Sequence, residues 1–333
     1  MTKLVECVPN FSEGRDTKII DAIVESIKQV NNVKLLSVEP DKDYNRCVVT
    51  FVGEPDAVKE AAFQATKTSA SLIDMTTHKG EHPRLGATDV VPFVPITGFT
   101  MQDCVQLANA YGKRVAEELH IPIYLYEEAA RTPERNNLAN IRKGEYEGLL
   151  EKLKDPAWKP DYGEPVFNAK SGATVTGARM FLVAYNVNLT TNNKELAHEI
   201  ALRIRESGRN IKDHAGKSVK IPGSLKAVKA MGVLLERFDI AQVSINLTDF
   251  NITPPHVAFE EVRKEAQKLG INVTGSEVVG LIPKEALIMA GKFYVGDIHN
   301  VKEEQYIARA VEALGLSQLE PFNPKKKIIE YMI

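Results

Sequence analysis

The sequence predicts an α+β chain built from two ferredoxin-like βαββαβ subdomains with antiparallel sheets, and three observations predict it. Hydrophobic periodicity between residues 3 and 96 gives the order strand, helix, strand, strand, helix, strand. The same order returns between residues 181 and 282. A stretch rich in Pro, Gly and Lys, residues 155–177, lies between the two. Units of this order form antiparallel sheets with helices on one face, and 333 residues suffice for two of them.

Residues 3–8 (KLVECV) form a first strand that ends at Pro9. Ile19, Ile20, Ile23, Ile27 and Val30 recur at helical spacing, which predicts a helix from Asp16 to Val30. Residues 33–39 and the apolar run Cys47–Val52 are the next two strands. Pro55 stands at a first helical position, and Val58, Ala61, Ala62, Ala65 and Leu72 supply an apolar stripe. Residues 89–96 are extended, and Pro92 and Pro95 push them toward a sheet edge.

In the second half, residues 181–189 alternate as a strand and Asn193–Arg205 is helical. Strands follow at 225–234 and 240–248. Thr253-Pro254-Pro255 opens a helix that Gly270 stops. Residues 271–282 are extended, and two short helices lie near 284–289 and 302–314. The predicted subdomains are residues 1–178 and 179–333.

Lys plus Arg number 42 against 44 Asp plus Glu, a net charge of -2 that gives no overall attraction to nucleic acid or anionic membrane. Cys7, Cys47 and Cys104 show neither disulfide nor zinc spacing and are expected to be reduced. Glu6 interrupts the first apolar run, so no signal peptide is read, and no stretch reaches the ~20 apolar residues of a membrane span. A cytoplasmic protein without metal is the expectation.

Four segments carry residues suited to chemistry. DMTTHKGEHPRLGAT at 74–88 holds His78 and His82 without helical periodicity, and Pro83 biases His82 to an extended backbone. An imidazole can give and take protons at neutral pH; an exposed polar loop is the competing reading, and the pair lacks the HExxH pattern of a zinc protease. PNFSEGR at 9–15 can present Asn10, Ser12 and backbone N–H groups to a carboxylate, although Ser12 also reads as a helix cap. Residues 161–179 offer Tyr162 and Phe167 for stacking on a heterocycle and Lys170 and Arg179 for carboxylates, or are a plain linker. Arg205, Arg209, Lys212, Lys217, Lys220, Lys226 and Lys229 form a solvated basic face or a landing strip for a polyanionic tail. Neither GxGxxG after a strand nor GxxxxGK[ST] is present.

LVECVPNFSEGRD at 4–16, HKGEHPRLGATDVVPF at 78–93 and SGATVTGARMFLVAYNVNL at 171–189 resemble the formiminotransferase family, as do YLYEEAA at 124–130, IRKGEYEGL at 141–149 and IIEYMI at 328–333. The resemblance runs the length of the chain and extends to the first part of animal formiminotransferase-cyclodeaminases; cyclodeaminase activity is not expected here. It implies two subdomains with a folate tunnel between them, a homodimer, and transfer of a formimino group from N-formiminoglutamate to N5 of tetrahydrofolate, the co-substrate, which can carry a polyglutamate tail. It implies His82 as the catalytic residue. It implies folate binding by Gly163, Glu164, Pro165, Val166, Phe167, Asn168, Ala169, Lys170, Ser171 and Gly172. Glu164–Lys170 departs from the animal form, as does EPDKD at 39–43, whereas Asn45 and Arg46 match. Glu13, Glu39, Asp41 and Glu81 are candidate acceptors for an amidinium, and Arg46 and Arg84 candidate partners for the donor's carboxylates. A 5-formyltetrahydrofolate cyclo-ligase and a non-catalytic folate-binding module are the competing functions.

Overall fold

The structure is a computed structural model that describes residues 3–42, 44–212, 216–296 and 301–333. Asp43 of the EPDKD turn and residues 213–215 of the basic stretch lie outside the described residues. The chain divides into two compact units, Met1–Met180 and Phe181–Ile333.

In the first unit the βαββαβ order runs β1 (Leu4–Cys7), β2 (Asn10–Phe11), α1 (Thr17–Lys28), β3 (Val33–Asp41), β4 (Arg46–Gly53), α2 (Pro55–Leu72) and β5 (Thr88–Thr97). The first predicted strand is β1, and beyond Pro9 the chain resumes as the unpredicted β2; both pair antiparallel with β4 on one side and β5 on the other. Asp16 caps α1 by accepting from the Lys18 N–H at 2.8 Å, and Ile20, Ile23, Val24 and Ile27 turn inward. The apolar stripe of α2 buries Val58, Ala61, Ala62 and Ala65 in the same core.

This unit then continues beyond the predicted six elements. α3 (Met101–Leu119), β6 (Ile123–Glu127), the short helices α4 (Leu138–Arg142) and α5 (Leu149–Lys152), and β7 (Thr174–Ala178) follow. β7 pairs parallel with both β5 and β6, so the seven-stranded sheet runs β3-β4-β1/β2-β5-β7-β6. Two expectations change as a result. The proline-bearing β5 is interior, not an edge: Pro92 turns its carbonyl toward Val8, which donates to it at 3.3 Å, so its missing N–H faces the point where β1 gives way to β2. Residues 171–178 are buried, with 174–178 forming β7 in the sheet of the first unit, and are not a linker. A second small core (Leu85, Val90, Tyr124, Tyr126, Ile141, Leu149, Val175) covers the sheet face opposite α1–α3.

The second unit repeats the order with β8 (Val183–Leu189), α6 (Lys194–Ile204), an exposed hairpin β9 (Arg209–Lys212) and β10 (Ser218–Ile221), β11 (Val228–Leu235), β12 (Ile240–Leu247), α7 (Pro255–Lys268) and β13 (Val273–Val279). Its four-stranded sheet is antiparallel in the order β11-β12-β8-β13. α8 (Lys284–Val295), α9 (Glu303–Ala313) and α10 (Pro324–Lys327) complete it. Among the described residues no helix is long and apolar enough to cross a membrane.

Two glycines bind the loop after α2 to the strand of segment 171–178. A Cβ on Gly86 would lie 2.3 Å from the Ser171 carbonyl oxygen, and one on Gly172, which has φ +66°, would lie 2.1 Å from that of Leu85. Only glycine allows this approach and this backbone together. Gly172→Ala should therefore cost roughly 2 kcal/mol or more, read as a lower urea midpoint; an unchanged midpoint would show that the two segments are not held this closely.

Candidate functional site

The segment between α2 and β5, residues 73–87, is an irregular loop pinned at both ends. Near its start Met75 is buried and its N–H donates to the Lys170 carbonyl at 2.9 Å. Near its end the Ser12 hydroxyl donates to the Gly86 carbonyl at 2.8 Å, and the Ala87 N–H donates to Ser171 at 2.9 Å. Ser12 is thus a loop staple and Asp16, not Ser12, is the helix cap.

The β3–β4 turn fixes the middle of the loop. Asn45 adopts φ +48°, accepts from the Gly14 N–H through Oδ1 at 2.9 Å and donates through Nδ2 to the Lys79 carbonyl at 2.9 Å. One buried side chain therefore ties together residues 9–15, 41–46 and 78–80. The fit is close: a Cβ on Gly80 would lie 2.4 Å from the Tyr44 carbonyl oxygen. Asn45 also receives a bond from His78, whose Nε2 lies 3.1 Å from its carbonyl.

These contacts decide the protonation of both histidines. A guanidinium has donors only. Arg84 Nε lies 3.2 Å from His78 Nδ1, so Nδ1 accepts and Nε2 carries the hydrogen that goes to Asn45. Arg46 Nη1 lies 3.3 Å from His82 Nε2, so Nε2 holds a lone pair and Nδ1 carries the hydrogen. Burial, then the charges of Arg46, Arg142 and Arg84, and the cost of protonating a second imidazole beside His78, hold the pKa of His82 down to about 3. Burial likewise lowers that of His78. The Tyr44 ring meets the His82 ring edge-on at 6.3 Å.

The three arginines differ in what they already hold. Arg84, with 6% of its side chain exposed, gives Nη1 to Glu145 and Glu147 at 3.0 and 2.8 Å and Nη2 to Glu147 at 2.7 Å. The Arg142 guanidinium grips Asp89, whose Oδ1 also takes the Leu85 N–H at 2.9 Å. Arg46 faces His82, and its buried Nε has no hydrogen-bond partner among the described residues. Of the two arginines expected to meet carboxylates, Arg84 is committed to protein carboxylates and Arg46 keeps a donor in reserve. Glu13 uses Oε1 to accept from the N–H groups of Arg15 and Asp16, at 2.8 and 2.9 Å, while Glu39 and Glu81 are exposed.

The segment Gly163–Gly172 spans two environments. Lys170, Ser171 and Gly172 lie against the histidine loop through the bonds to Met75 and Ala87 and the Gly86–Gly172 bridge. Gly163, Glu164, Val166, Phe167 and Asn168 line a cavity of about 780 Å³ with Tyr162, Lys113, Ala116, Glu117, His120 and Pro122. Phe167 leans on Tyr146 with ring centres 5.5 Å apart, and the Tyr146 hydroxyl donates to the Ala169 carbonyl at 2.6 Å. Tyr146 also donates its N–H to the Arg84 carbonyl at 2.8 Å, which links the segment to the loop. Arg179 donates to its own neighbour, the Met180 carbonyl, at 3.0 Å.

Sequence reasoning overlooked Arg142, Glu145, Tyr146 and Glu147 as site residues. Their signal was the IRKGEYEGL motif, which places an arginine and two glutamates around an aromatic ring. The three cysteines are buried, and burial raises each thiol, Cys47 to about 11 and Cys104 to about 12, so none is a ready nucleophile.

Two family models match: the formiminotransferase domain, N-terminal subdomain, over residues 4–179, and the formiminotransferase domain over residues 184–333. The chain is 48% identical to a glutamate formimidoyltransferase of Streptococcus pyogenes over 89% of its length and 94% of the relative's. It is 46% identical to one of Thermoplasma acidophilum over 93% and 97%. It is 51% identical to mouse formimidoyltransferase-cyclodeaminase over 100% of its length, but spans 60% of that protein. The chain belongs to the formiminotransferase family.

Proposed function

We propose that the protein is a glutamate formimidoyltransferase, moving the formimino group of N-formimino-L-glutamate to N5 of tetrahydrofolate. The observation that carries the proposal is the arrangement around His82: a neutral imidazole with its lone pair on Nε2, beside Arg46, whose guanidinium is not paired with a protein carboxylate among the described residues. Relatives of almost the same length that bear the same enzyme name support it. On this reading the chain is a homodimer, as the resemblance implies, and a cytoplasmic protein with its subdomain boundary at residues 178/179, as the sequence suggests. Gly163–Gly172 is the folate-binding segment, supported by its cavity and by its contact with the histidine loop.

The donor is an amidinium, so its carbon is electrophilic without an oxyanion hole. N5 of tetrahydrofolate attacks that carbon, and the new C–N bond leaves N5 positively charged and strongly acidic. His82 Nε2 takes the N5 proton. The imidazolium passes it to the glutamate nitrogen, whose bond to carbon breaks with the electron pair going to nitrogen. Imidazole is neutral again, and the products are 5-formiminotetrahydrofolate and glutamate. One group serves both transfers because the proton lost by one nitrogen is the proton gained by the other. A low histidine pKa suits this sequence: it makes a weak base for an acidic intermediate and a strong acid for a poor leaving group. Bringing both substrates to one imidazole supplies rate through proximity.

His82→Ala should lower kcat by roughly 10²–10⁴-fold in an assay of tetrahydrofolate with N-formiminoglutamate, with the folate Kd unchanged; equal loss of both would remove the acid–base role. The pH profile offers a second check. Because the folded pKa of His82 is depressed to about 3, the imidazole stays neutral well below its ordinary range, and kcat/KM should show no acid limb from it near pH 6.5. Removing a neighbouring cation moves its pKa upward, so Arg46→Gln should bring that limb toward neutral pH. A wild-type limb at about 6.5 would contradict this account.

A further inference from the structure

Among the described residues Arg46 and His256 each bury an unpartnered side-chain nitrogen, and Arg46 is the one that lies at the site. Its backbone has no freedom: a Cβ on Gly14 would lie 2.7 Å from the Arg46 nitrogen, Arg46 opens β4, and Asn45 before it is bonded to two other segments. Its guanidinium carbon stands 5.9 Å from the centre of the Tyr44 ring, Nη1 faces the His82 lone pair, and the buried Nε is unpartnered among the described residues. Burying a guanidinium N–H without an acceptor is costly, and a carboxylate is the acceptor that matches its fork. Arg84 and Arg142 cannot take this part, because Glu145, Glu147 and Asp89 occupy them.

Geometry says which carboxylate. In the donor, the leaving nitrogen and the α-carboxylate carbon are two bonds apart. On the folate, the glutamate carboxylates are separated from N5 by the whole p-aminobenzoyl group. A molecule that places a reacting nitrogen on His82 Nε2 and a carboxylate on the guanidinium 3.3 Å away must carry the two close together. The donor's α-carboxylate meets that condition in any conformation, whereas its γ-carboxylate, four bonds from the nitrogen, meets it only when the chain folds back.

We propose that Arg46 binds the α-carboxylate of the formimino donor and, in doing so, turns away from His82 and frees the Nε2 lone pair to accept the proton. Arg46 is then both a specificity residue for α-amino acid donors and a latch on the base: without an α-carboxylate the lone pair stays occupied. The titratable groups that act on the imidazole are Arg46, Arg142, Arg84 and His78. Those facing Arg46 include Asp41, Arg142, Tyr44 and Glu39. A carboxylate bound at Arg46 opposes the largest single charge acting on His82 and so moves its pKa up from about 3. This inference rests on the transferase reading for the identity of the donor, but not for the presence of a carboxylate site.

The test compares N-formiminoglutamate with its α-decarboxy analogue, 4-(formiminoamino)butyrate, by calorimetric binding and by turnover, in wild type and Arg46→Gln. A charge-assisted pair predicts that wild type binds the full donor tighter by roughly tenfold to a hundredfold. In Arg46→Gln that preference collapses toward one, the tetrahydrofolate Kd is unchanged, and the two changes are not additive in kcat. Arg46→Lys, which keeps the charge and loses the fork, retains part of the preference and serves if the glutamine variant does not fold. A preference that survives in the variants, or one that is absent in wild type, overturns the proposal. Binding that follows this pattern with no turnover in wild type would instead overturn the transferase reading and leave the carboxylate site standing.

Discussion

Everything at this site depends on one contact, a guanidinium N–H against an imidazole lone pair. Arg46 can only donate, so His82 Nε2 must accept, and this single fact fixes the tautomer, the charge and the direction in which His82 can act. His78 obeys the same logic in mirror image, accepting from Arg84 at Nδ1 and donating from Nε2 to Asn45. The two histidines are four positions apart in one loop and opposite in tautomer. One is locked into the scaffold on both nitrogens, and the other keeps its basic nitrogen on a residue that a substrate can draw away.

The fold supplies the rigidity that such a contact needs. A bare βαββαβ unit would leave the loop after α2 open on its β5 side. Here α3, β6 and β7 extend the sheet beyond β5, and the approach to β7 brings Lys170–Gly172 against the loop's ends. On the other side the β3–β4 turn reaches over through Asn45. The loop is irregular in backbone yet closely bound at Met75, Lys79, Gly86 and Ala87. Irregular backbone can aim side chains that a helix or strand would not, and the surrounding bonds keep it from costing order.

Much of the fold was legible because its periodicities are clean. The stripe Ile20, Ile23, Val24, Ile27 could be only a helix face, and the run at 240–247 alternates as a strand must. β5 misled because Pro92 and Pro95 ordinarily mark edges; the break at Pro9 in the neighbouring strand, which the sequence also shows, is what makes room for Pro92. Residues 171–178 misled more deeply. Their Ser, Gly and Thr content resembles a connection, and their burial comes from parallel pairing with strands dozens of residues away, which local pattern cannot reveal. At the site, His82 stood out by residue type and by family resemblance. The role of Asn45 did not, because a turn asparagine has many local reasons to exist, and the pairing of Arg84 with Glu145 and Glu147 joins residues about sixty positions apart. The basic stretch 205–229 falls on the exposed β9–β10 hairpin and its flanks, where Arg209 meets Glu199 and Lys226 lies 3.6 Å from Glu206.

The central claim is that His82 rests neutral, with hydrogen on Nδ1 and a lone pair on Nε2. Nitrogen-15 NMR of histidine-labelled protein at neutral pH reads this directly, with His82→Ala assigning the signal. The account predicts one protonated, pyrrole-like nitrogen at Nδ1 and one bare, pyridine-like nitrogen at Nε2, unchanged as the pH is taken down through 6. An imidazolium at neutral pH, or a hydrogen on Nε2, would contradict it.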